Sequence, residues 1–231
     1  MLQNSVRWAG LRSTISGLLC LTWLLTIGTA CAHLQSERAR HNRSAAQVFA
    51  SFVGDEGTMS GTVFKYRGRL ITAGHLCQSW VLFNIVDLVE PMRVRSVEGD
   101  GELVSGRYVP ERFRYDDKVD ICVLREVDET IADLMELRRG RAVHVGDPVT
   151  IVGAPLGLML FRTDGYVASL ADARCNGWMT TSAAAYGGNS GSPVLDADGA
   201  LVGMLVAGFP SYPIVSVVVP VAMIDAFLGD E

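Results

Sequence analysis

Residues 193–219 read PVLDADGALVGMLVAGFPSYPIVSVVV, in which three apolar runs are separated by turns rich in Asp, Gly and Pro. Each run is too short for a typical helix and has the length of a β-strand. Similar runs recur between turn residues through most of the chain. They predict strands at 48–53, 61–66, 69–73, 80–86, 92–97, 121–124, 148–152, 164–169, 179–182, 193–195, 201–207 and 214–219. Many short strands without alternating helices favour an all-β sandwich or barrel.

Two segments depart from this pattern. Residues 129–141 (ETIADLMELRRGR) mix apolar and charged side chains and predict either a short helix or an extended connector between two strand-rich halves. Residues 221–228 (VAMIDAFL) follow a proline and have helical spacing. They predict a terminal helix that packs on the second half.

The N-terminal 32 residues have the three parts of an export signal. Arg7 and Arg12 precede the apolar run 17–27 (GLLCLTWLLTI), which is followed by the small residues 28–32 (GTACA). A positive flank, an apolar core and a small-residue exit are typical of a secretory signal peptide.

Three fates of this segment stay open: cleavage after Ala32, lipidation of Cys31, or retention of residues 1–32 as a membrane anchor. Residues 33–45 are mostly polar and predict a spacer. We therefore expect an exported protein that is periplasmic, secreted or held at the membrane with its folded part outside the cytoplasm.

Charge and cysteine usage exclude several classes of function. The 231 residues contain 20 Lys and Arg against 25 Asp and Glu, a formal net charge of −5. This balance provides no basic field, so we expect no nucleic-acid partner. The five cysteines form no C-x-x-C pair and the chain has no H-E-x-x-H motif, so we expect no metal and no other cofactor. Beyond the signal, Cys77, Cys122 and Cys175 allow at most one disulfide, and we expect buried free thiols.

The sharpest motif is residues 186–194 (YGGNSGSPV), which place Ser190 among glycines. Such a turn can bring the backbone N–H groups of Gly188 and Ser190 beside the hydroxyl. Donors fixed in that way form an oxyanion hole for the tetrahedral intermediate of acyl transfer. The alternative is a tight turn between strands without a chemical role.

A serine hydroxyl needs a base, and His75 is the natural candidate. It ends the apolar stretch 70–75 (LITAGH), where small residues leave room for a substrate. His33 and His41 lie in the polar spacer, and His144 has apolar neighbours, which predicts a packed or capping side chain. A structural role for His75 itself stays open.

Asp120 is the candidate carboxylate that orients the imidazole. It directly precedes the apolar run 121–124 (ICVL), so a buried strand would carry its side chain inward. A buried acid needs a partner, and His75 would supply one. Asp116 and Asp117 belong to a polar loop, and we expect both to face water.

Three segments together resemble a known family. TAGH at 72–75, DICVL at 120–124 and GNSGSPV at 188–194, in the order His, Asp, Ser, resemble the chymotrypsin-like (trypsin-like) serine proteases and most closely the HtrA/Deg branch. The resemblance covers about residues 46–228. It implies two six-stranded antiparallel Greek-key barrels, with His75, Asp120 and Ser190 in the cleft between them. The implied division is barrel one at about 46–128, a connector at 129–147, barrel two at 148–220 and a terminal helix at 221–229.

The chain departs from the family at three points. Asn189 stands where digestive members have Asp, so we expect no activation by insertion of a new N-terminus. No cysteine precedes His75 in its segment, so the family disulfide beside the histidine is not expected at Cys77. The sequence has 41 residues after Ser190, so we expect no PDZ domain.

The resemblance also indicates a substrate pocket. Six residues before the serine, Ala184 replaces the acid of trypsin-type pockets, so we expect small or medium apolar side chains rather than Lys or Arg. Val206, Ala207 and Gly208 resemble the strand that pairs with the substrate backbone, although simple strand packing is an alternative. Ser216 is expected on the pocket wall.

The sequence therefore predicts a serine endopeptidase that hydrolyses protein or peptide substrates through an acyl-enzyme. Two alternatives stay open. One is a narrow-specificity processing protease or an esterase with the same triad. The other is a binding module that keeps the protease fold without catalysis.

Overall fold

A computed structural model describes residues 46–51, 58–84, 92–97, 103–116, 118–127, 134–157, 160–170, 177–209 and 212–229, all within the unit Arg40–Glu231. The predicted signal or anchor, Cys31 and the spacer lie outside the described residues. The strands are β1 Ala46–Ser51, β2 Thr58–Tyr66, β3 Arg69–Thr72, β4 Met92–Val97, β5 Leu103–Tyr115, β6 Asp120–Glu126, β7 Glu136–Leu137, β8 Pro148–Gly153, β9 Phe161–Ser169, β10 Met179–Thr181, β11 Pro193–Leu195, β12 Leu201–Phe209 and β13 Tyr212–Pro220; the helices are α1 Gly74–Asn84 and α2 Val221–Leu228.

The first six strands close into a ring. Strand β1 pairs with both β2 and β4, so the order β1-β4-β5-β6-β3-β2 returns to its starting strand. All of these pairings are antiparallel, and the short β7 adds to β2 in parallel. Closure pairs the edges that an open sheet would leave exposed.

The second half forms a closed barrel with the order β10-β13-β12-β11-β8-β9. Helix α2 follows β13 and buries Val221, Ile224 and Leu228. The predicted all-β class, with two six-stranded barrels and a short C-terminal helix, is confirmed. Among the described residues, no helix has the length and apolar character needed to cross a bilayer.

Residues 80–86 were predicted as a strand, and this is wrong for their described part, which belongs to helix α1. An apolar run of this length fits a helix as well as a strand, and tertiary packing decides between them. Here Leu76, Cys77 and Trp80 are spaced to bury one helical face against the first barrel.

Strand β5 was not predicted at all. Its sequence, LVSGRYVPERFRY, contains Gly106, Pro110 and several arginines, which are typical of loops. The pairing of β5 with β6 shifts register between Pro110 and Arg112, so a bulge accommodates the proline within the strand. In the connector, the described residues 134–141 are extended and include β7.

The expectation of free thiols is also wrong, because Cys77 and Cys122 form a disulfide. Cys122 pairs with Thr72 across β6 and β3, and α1 starts directly after β3. The chain therefore brings the two Cα atoms to 6.4 Å, a separation that a disulfide can span. Cys175 lies outside the described residues.

Asp225 ties helix α2 to the first barrel. Its Oδ1 accepts a hydrogen bond from the Tyr66 hydroxyl at 2.8 Å, and its Oδ2 pairs with Arg139 Nε at 2.9 Å. Burial, and then the bond to Asp225, raise the pKa of Tyr66 to about 12. The phenol therefore stays protonated and donating throughout the physiological pH range.

We expect Tyr66→Phe to lower the free energy of unfolding by about 1 kcal/mol, because it removes one buried hydrogen bond without leaving a cavity. Chemical denaturation followed by circular dichroism measures this change. Tyr166→Phe is the matched control, since the Tyr166 side chain is exposed and its hydroxyl should contribute little. Equal losses in both variants would contradict the assigned role of the Tyr66 hydroxyl.

Candidate active site

His75 lies in the first turn of helix α1, directly after strand β3. This position depends on Gly74, where a Cβ atom would lie 2.5 Å from the Arg114 carbonyl oxygen and 2.8 Å from the Ile121 amide nitrogen. Only glycine lets the helix begin against the backbone of β5 and β6. The helix start thereby carries the imidazole to the end of β6.

Asp120 begins β6 and holds His75 at two points. Its Oδ2 lies 2.7 Å from His75 Nδ1, and its Oδ1 accepts the His75 backbone N–H at 2.8 Å. Asp120 is buried, with 3% of its surface exposed, and the N-terminus of a helix favours a negative charge at this place. An ionised carboxylate can only accept, which assigns the proton of a neutral imidazole to Nδ1 and a lone pair to Nε2.

The turn before β6, which the Asp116 side chain caps, positions Asp120. Asp116 Oδ1 accepts the backbone N–H groups of Lys118 and Val119 at 2.8 and 2.9 Å, and its Oδ2 accepts Arg114 Nε at 2.7 Å. The bond from Arg114, followed by the two backbone bonds, lowers the pKa of Asp116 from 3.8 to about 2. The cap is complete above pH 3.8 and is lost as the pH falls through about 2.

Asp116 was predicted only as a solvated loop acid, and it is partly exposed as expected. Its role in the turn was missed, although an acid two and three residues before backbone donors is a known turn signal. Asp117 lies outside the described residues.

Tyr115 was also missed. Its ring meets the His75 ring edge-on, with centroids 6.1 Å apart and planes at 66°. The side chain is 48% exposed, so the ring lies beside the imidazole at the protein surface. An aromatic residue at the end of a strand, shortly before Asp120, is too common to have identified this contact from sequence.

Ser190 lies in a turn whose shape two glycines provide. Gly188 has φ +93° and Gly191 has φ +86°, values that other residues rarely adopt. Asn189 N–H donates to the Tyr186 carbonyl, and Ser192 N–H to the Asn189 carbonyl, which closes the turn on both sides of the serine. Within the described part of the chain, no acceptor binds the N–H of Gly188 or Ser190. Both candidate oxyanion donors therefore remain available.

Thr62 on β2 joins this turn to the first barrel. Its N–H donates to the Ser190 carbonyl at 2.7 Å, and its hydroxyl donates to the Gly188 carbonyl at 3.0 Å. The same hydroxyl accepts the Ala154 N–H at 3.0 Å. No sequence pattern singles out Thr62, because its partners lie more than 90 residues away.

The turn also lies close to the segment that leads to His75. A Cβ atom at Gly191 would meet the Thr62 carbonyl oxygen and lie 3.1 Å from the Ala73 amide nitrogen. The residue after Ser190 therefore packs against the peptide two residues before His75. The structure brings the three predicted catalytic segments into one region.

Asn189 is buried, with 2% of its surface exposed. Among the described residues, its Oδ1 has no hydrogen-bond partner. A neutral amide at this position requires no buried cation, in contrast to a carboxylate. The serine turn is thus formed without a charged partner for residue 189.

The residues predicted for the substrate pocket come together only in part. Gly208 pairs with Ser216 across β12 and β13, and a Cβ at Gly208 would lie 3.3 Å from the Ala185 carbonyl oxygen. Ser216 is buried, and its hydroxyl donates to the Ala183 carbonyl at 2.6 Å. Ala184 between these two alanines is partly buried. This pocket candidate contains no acid among its described residues.

Val206 and Ala207 differ in their surroundings. The Val206 side chain is buried in the hydrophobic core, so only its backbone could meet a substrate. Ala207 is exposed and pairs with Val217.

Outside this region, the His144 side chain is 81% exposed, so the expectation of a packed His144 is wrong. Asp147 instead caps this turn by accepting the His144 N–H, which lowers the pKa of Asp147.

Comparison with known proteins assigns the family. Residues 59–204 match the trypsin-like peptidase domain family, and the matched range includes His75, Asp120 and Ser190. The chain belongs to this family.

Individual relatives are more distant. HhoB of Synechocystis sp., a serine protease by its name, is 24% identical over 201 residues, covering 77% of this chain and 44% of HhoB. The chain thus spans less than half the length of this curated relative.

Solved structures share the fold at low sequence identity. The serine endoprotease from Yersinia pestis has a TM-score of 0.59 at 21% identity, covering 82% of this chain and 62% of that one. The HtrA-type protease AlgW with tripeptide has a TM-score of 0.60 at 20% identity, covering 80% of this chain and 58% of AlgW. Deg5 has a TM-score of 0.65 at 21% identity, covering 84% of this chain and 91% of Deg5.

We expect Gly188→Ala to slow reaction with a fluorophosphonate probe, which labels activated serines, by about 100-fold. The new Cβ would lie 2.5 Å from the Ala154 carbonyl oxygen, so the turn and its N–H groups must move. Gly199→Ala is the matched control: it has φ +72° and open space around the Cβ, so it should cost stability but not labelling. A similar loss of labelling in both variants would contradict this account of the turn.

Proposed function

We propose that this chain is a serine endopeptidase in which His75, Asp120 and Ser190 form the catalytic triad. The observation that carries the proposal is the double hydrogen bond of Asp120 to the His75 ring and backbone, at 2.7 and 2.8 Å. It leaves Nε2 as the free base of the imidazole. Family membership and the glycine-rich turn at Ser190 support the same assignment.

The reaction proceeds in two halves. His75 Nε2 takes the proton of the Ser190 hydroxyl while Oγ bonds to the substrate carbonyl carbon. The protonated His75 then gives this proton to the leaving amine as the C–N bond breaks, which leaves an acyl-enzyme. Water gives a proton to His75 as its oxygen bonds to the acyl carbon, and His75 then returns this proton to Ser190 Oγ as the C–Oγ bond breaks, which releases the acid and restores Ser190. Asp120 stabilises the imidazolium in both halves.

The N–H groups of Gly188 and Ser190 are proposed as the oxyanion hole. Charge develops on the carbonyl oxygen as the tetrahedral intermediate forms, and donors oriented before the reaction stabilise it most. Their lack of acceptors within the described part of the chain supports this role, as does the fixed positive φ of Gly188.

For the substrate, we propose proteins or peptides with a small or medium apolar residue before the cleaved bond. The side chains at Ala184, Gly208 and Ser216 are small and uncharged, so they offer no negative charge to attract Lys or Arg. Ala207 and Gly208, exposed on β12, are proposed to pair with the substrate backbone, together with the backbone of Val206.

We propose that the enzyme is exported, on the basis of the N-terminal sequence at 1–32. Cleavage of this segment gives a periplasmic or secreted enzyme. Lipidation of Cys31 or retention of the segment gives a membrane-attached enzyme with its catalytic part outside the cytoplasm.

The triad predicts that fluorophosphonate labels wild type and that Ser190→Ala abolishes labelling. We expect Asp120→Asn to reduce the rate of peptide cleavage by about 10⁴-fold, because the amide disfavours the reactive tautomer of His75. Labelling followed by gel fluorescence, together with hydrolysis of an unfolded protein substrate, measures both effects.

Asp164→Asn is a matched control for the change of charge, since Asp164 is exposed on β9, and it should retain activity. A folded wild type that is not labelled would refute the proposal and favour a binding module. Labelling without cleavage of unfolded proteins would instead indicate a narrow processing protease or an esterase.

We expect a peptide library to show at least about tenfold preference for Ala or Val over Lys before the cleaved bond. Ala184→Asp should move the preference toward Lys, because it places a carboxylate in the pocket. Ala222→Asp on α2 is the control, since it adds the same charge at an exposed position. If both variants shift the preference equally, overall charge rather than this pocket sets specificity.

A further inference from the structure

The Cys77–Cys122 disulfide lies close in sequence to two residues of the proposed triad. Cys77 and Cys122 each follow a proposed triad member by two residues, His75 in one case and Asp120 in the other. Both cysteines have 0% exposed surface, and their Cα atoms are 6.4 Å apart. The covalent link thus joins the same two elements that the His75–Asp120 hydrogen bonds join.

The two links are arranged side by side on β6. Side chains two residues apart on a strand point to the same face, so Asp120 and Cys122 meet α1 from one face of β6. Cys122 is held there by pairing with Thr72 on β3 and Phe113 on β5. Strand β6 is therefore a fixed base for the helix.

On the helix, the two links lie on different sides. Successive residues are about 100° apart around an α-helix, so His75 and Cys77 point in different directions. Two attachments on different sides of α1 oppose its rotation and tilt more strongly than one attachment does. The hydrogen-bonded pair is exposed to water on the His75 side, where 27% of the side chain is accessible, and the disulfide is not.

We propose that the Cys77–Cys122 disulfide is a positioning element that holds His75 in register with Asp120, in addition to stabilising the fold. The inference rests on the proposed triad and names two residues that act through it without touching substrate. Displacing a reacting group by about 1 Å can cost about 100-fold in rate. A disulfide that restricts α1 to less than this displacement therefore affects catalysis directly.

The test compares Cys77→Ala/Cys122→Ala with wild type as purified full-length proteins, at a temperature where circular dichroism shows both to be folded. We expect the second-order rate of fluorophosphonate labelling per folded molecule to fall about 10- to 100-fold. Ile224→Ala, which truncates a buried side chain of α2, is the control for lost stability and should label at the wild-type rate.

A double-mutant cycle separates positioning from a general structural role. In an Asp120→Asn background the register of His75 no longer matters, so removing the disulfide should change the labelling rate by less than about twofold. Two results would overturn the inference. One is an equal fall in labelling rate on loss of the disulfide in the wild-type and Asp120→Asn backgrounds, and the other is an unchanged labelling rate in the wild-type background.

A second pair, Cys77→Ala/Cys122→Val, fills more of the space of the lost sulfur on β6. If neither pair folds, the disulfide acts on folding itself and the positioning role is refuted. If either pair folds, the labelling cycle is carried out with that pair.

Proton NMR keeps this inference distinguishable from the proposed function. The Nδ1 proton between His75 and Asp120 should give a low-field resonance in wild type that is absent in Asp120→Asn and broadened or shifted in the disulfide-free pair. This readout does not require an active Ser190. An unlabelled wild type with such a change would refute the proposed function alone, and an unaltered resonance would refute the positioning role alone.

Discussion

The interaction on which the active-site geometry depends is the clasp that Thr62 forms between the two barrels. The turn that carries Ser190 belongs to the second barrel and the His75 imidazole to the first, so their relative position is set where the barrels touch. Thr62 binds the carbonyl oxygens of Ser190 and Gly188 and receives the Ala154 N–H. A buried hydrogen bond contributes about 1 kcal/mol net, but its loss would leave buried carbonyls without donors at a larger cost. These few hydrogen bonds of Thr62 therefore hold the Ser190 turn more firmly than their net contribution to stability alone suggests.

The two barrels have different tasks in this arrangement. The first barrel carries the proposed acid and base, Asp120 and His75, whose positions depend on the Asp116 turn and on the restricted space at Gly74. The second barrel carries the proposed nucleophile and oxyanion donors, whose orientation depends on two glycines with positive φ. Each set is built by contacts within its own barrel, and contacts between the barrels, such as those of Thr62 and the shared hydrophobic core, set the position of one relative to the other.

The sequence predicted the class of fold and identified the three candidate catalytic residues. Strand-length runs and the glycines around Ser190 are local features, so both can be recognised without the structure. It failed where distant contacts decide. Residues 80–86 were assigned to a strand since their apolar content is compatible with either structure, and β5 was overlooked because a bulge absorbs Pro110. The Cys77–Cys122 pair could not be derived, because 45 residues separate the cysteines and only the closed barrel brings them together. Thr62 has no local motif for the same reason.

The division of the site between two barrels also has a consequence for biosynthesis. The bond from the Thr62 hydroxyl to the Gly188 carbonyl joins residues 126 positions apart, and contacts of such sequence separation form slowly. A chain is made and folds from its N-terminus, so His75 and Asp120 emerge while Ser190 is still unsynthesised. If Ser190 is the nucleophile as proposed, the growing polypeptide cannot cleave itself or its neighbours at this stage. The proposed hydrolytic activity would therefore become available only after the second barrel has formed against the first.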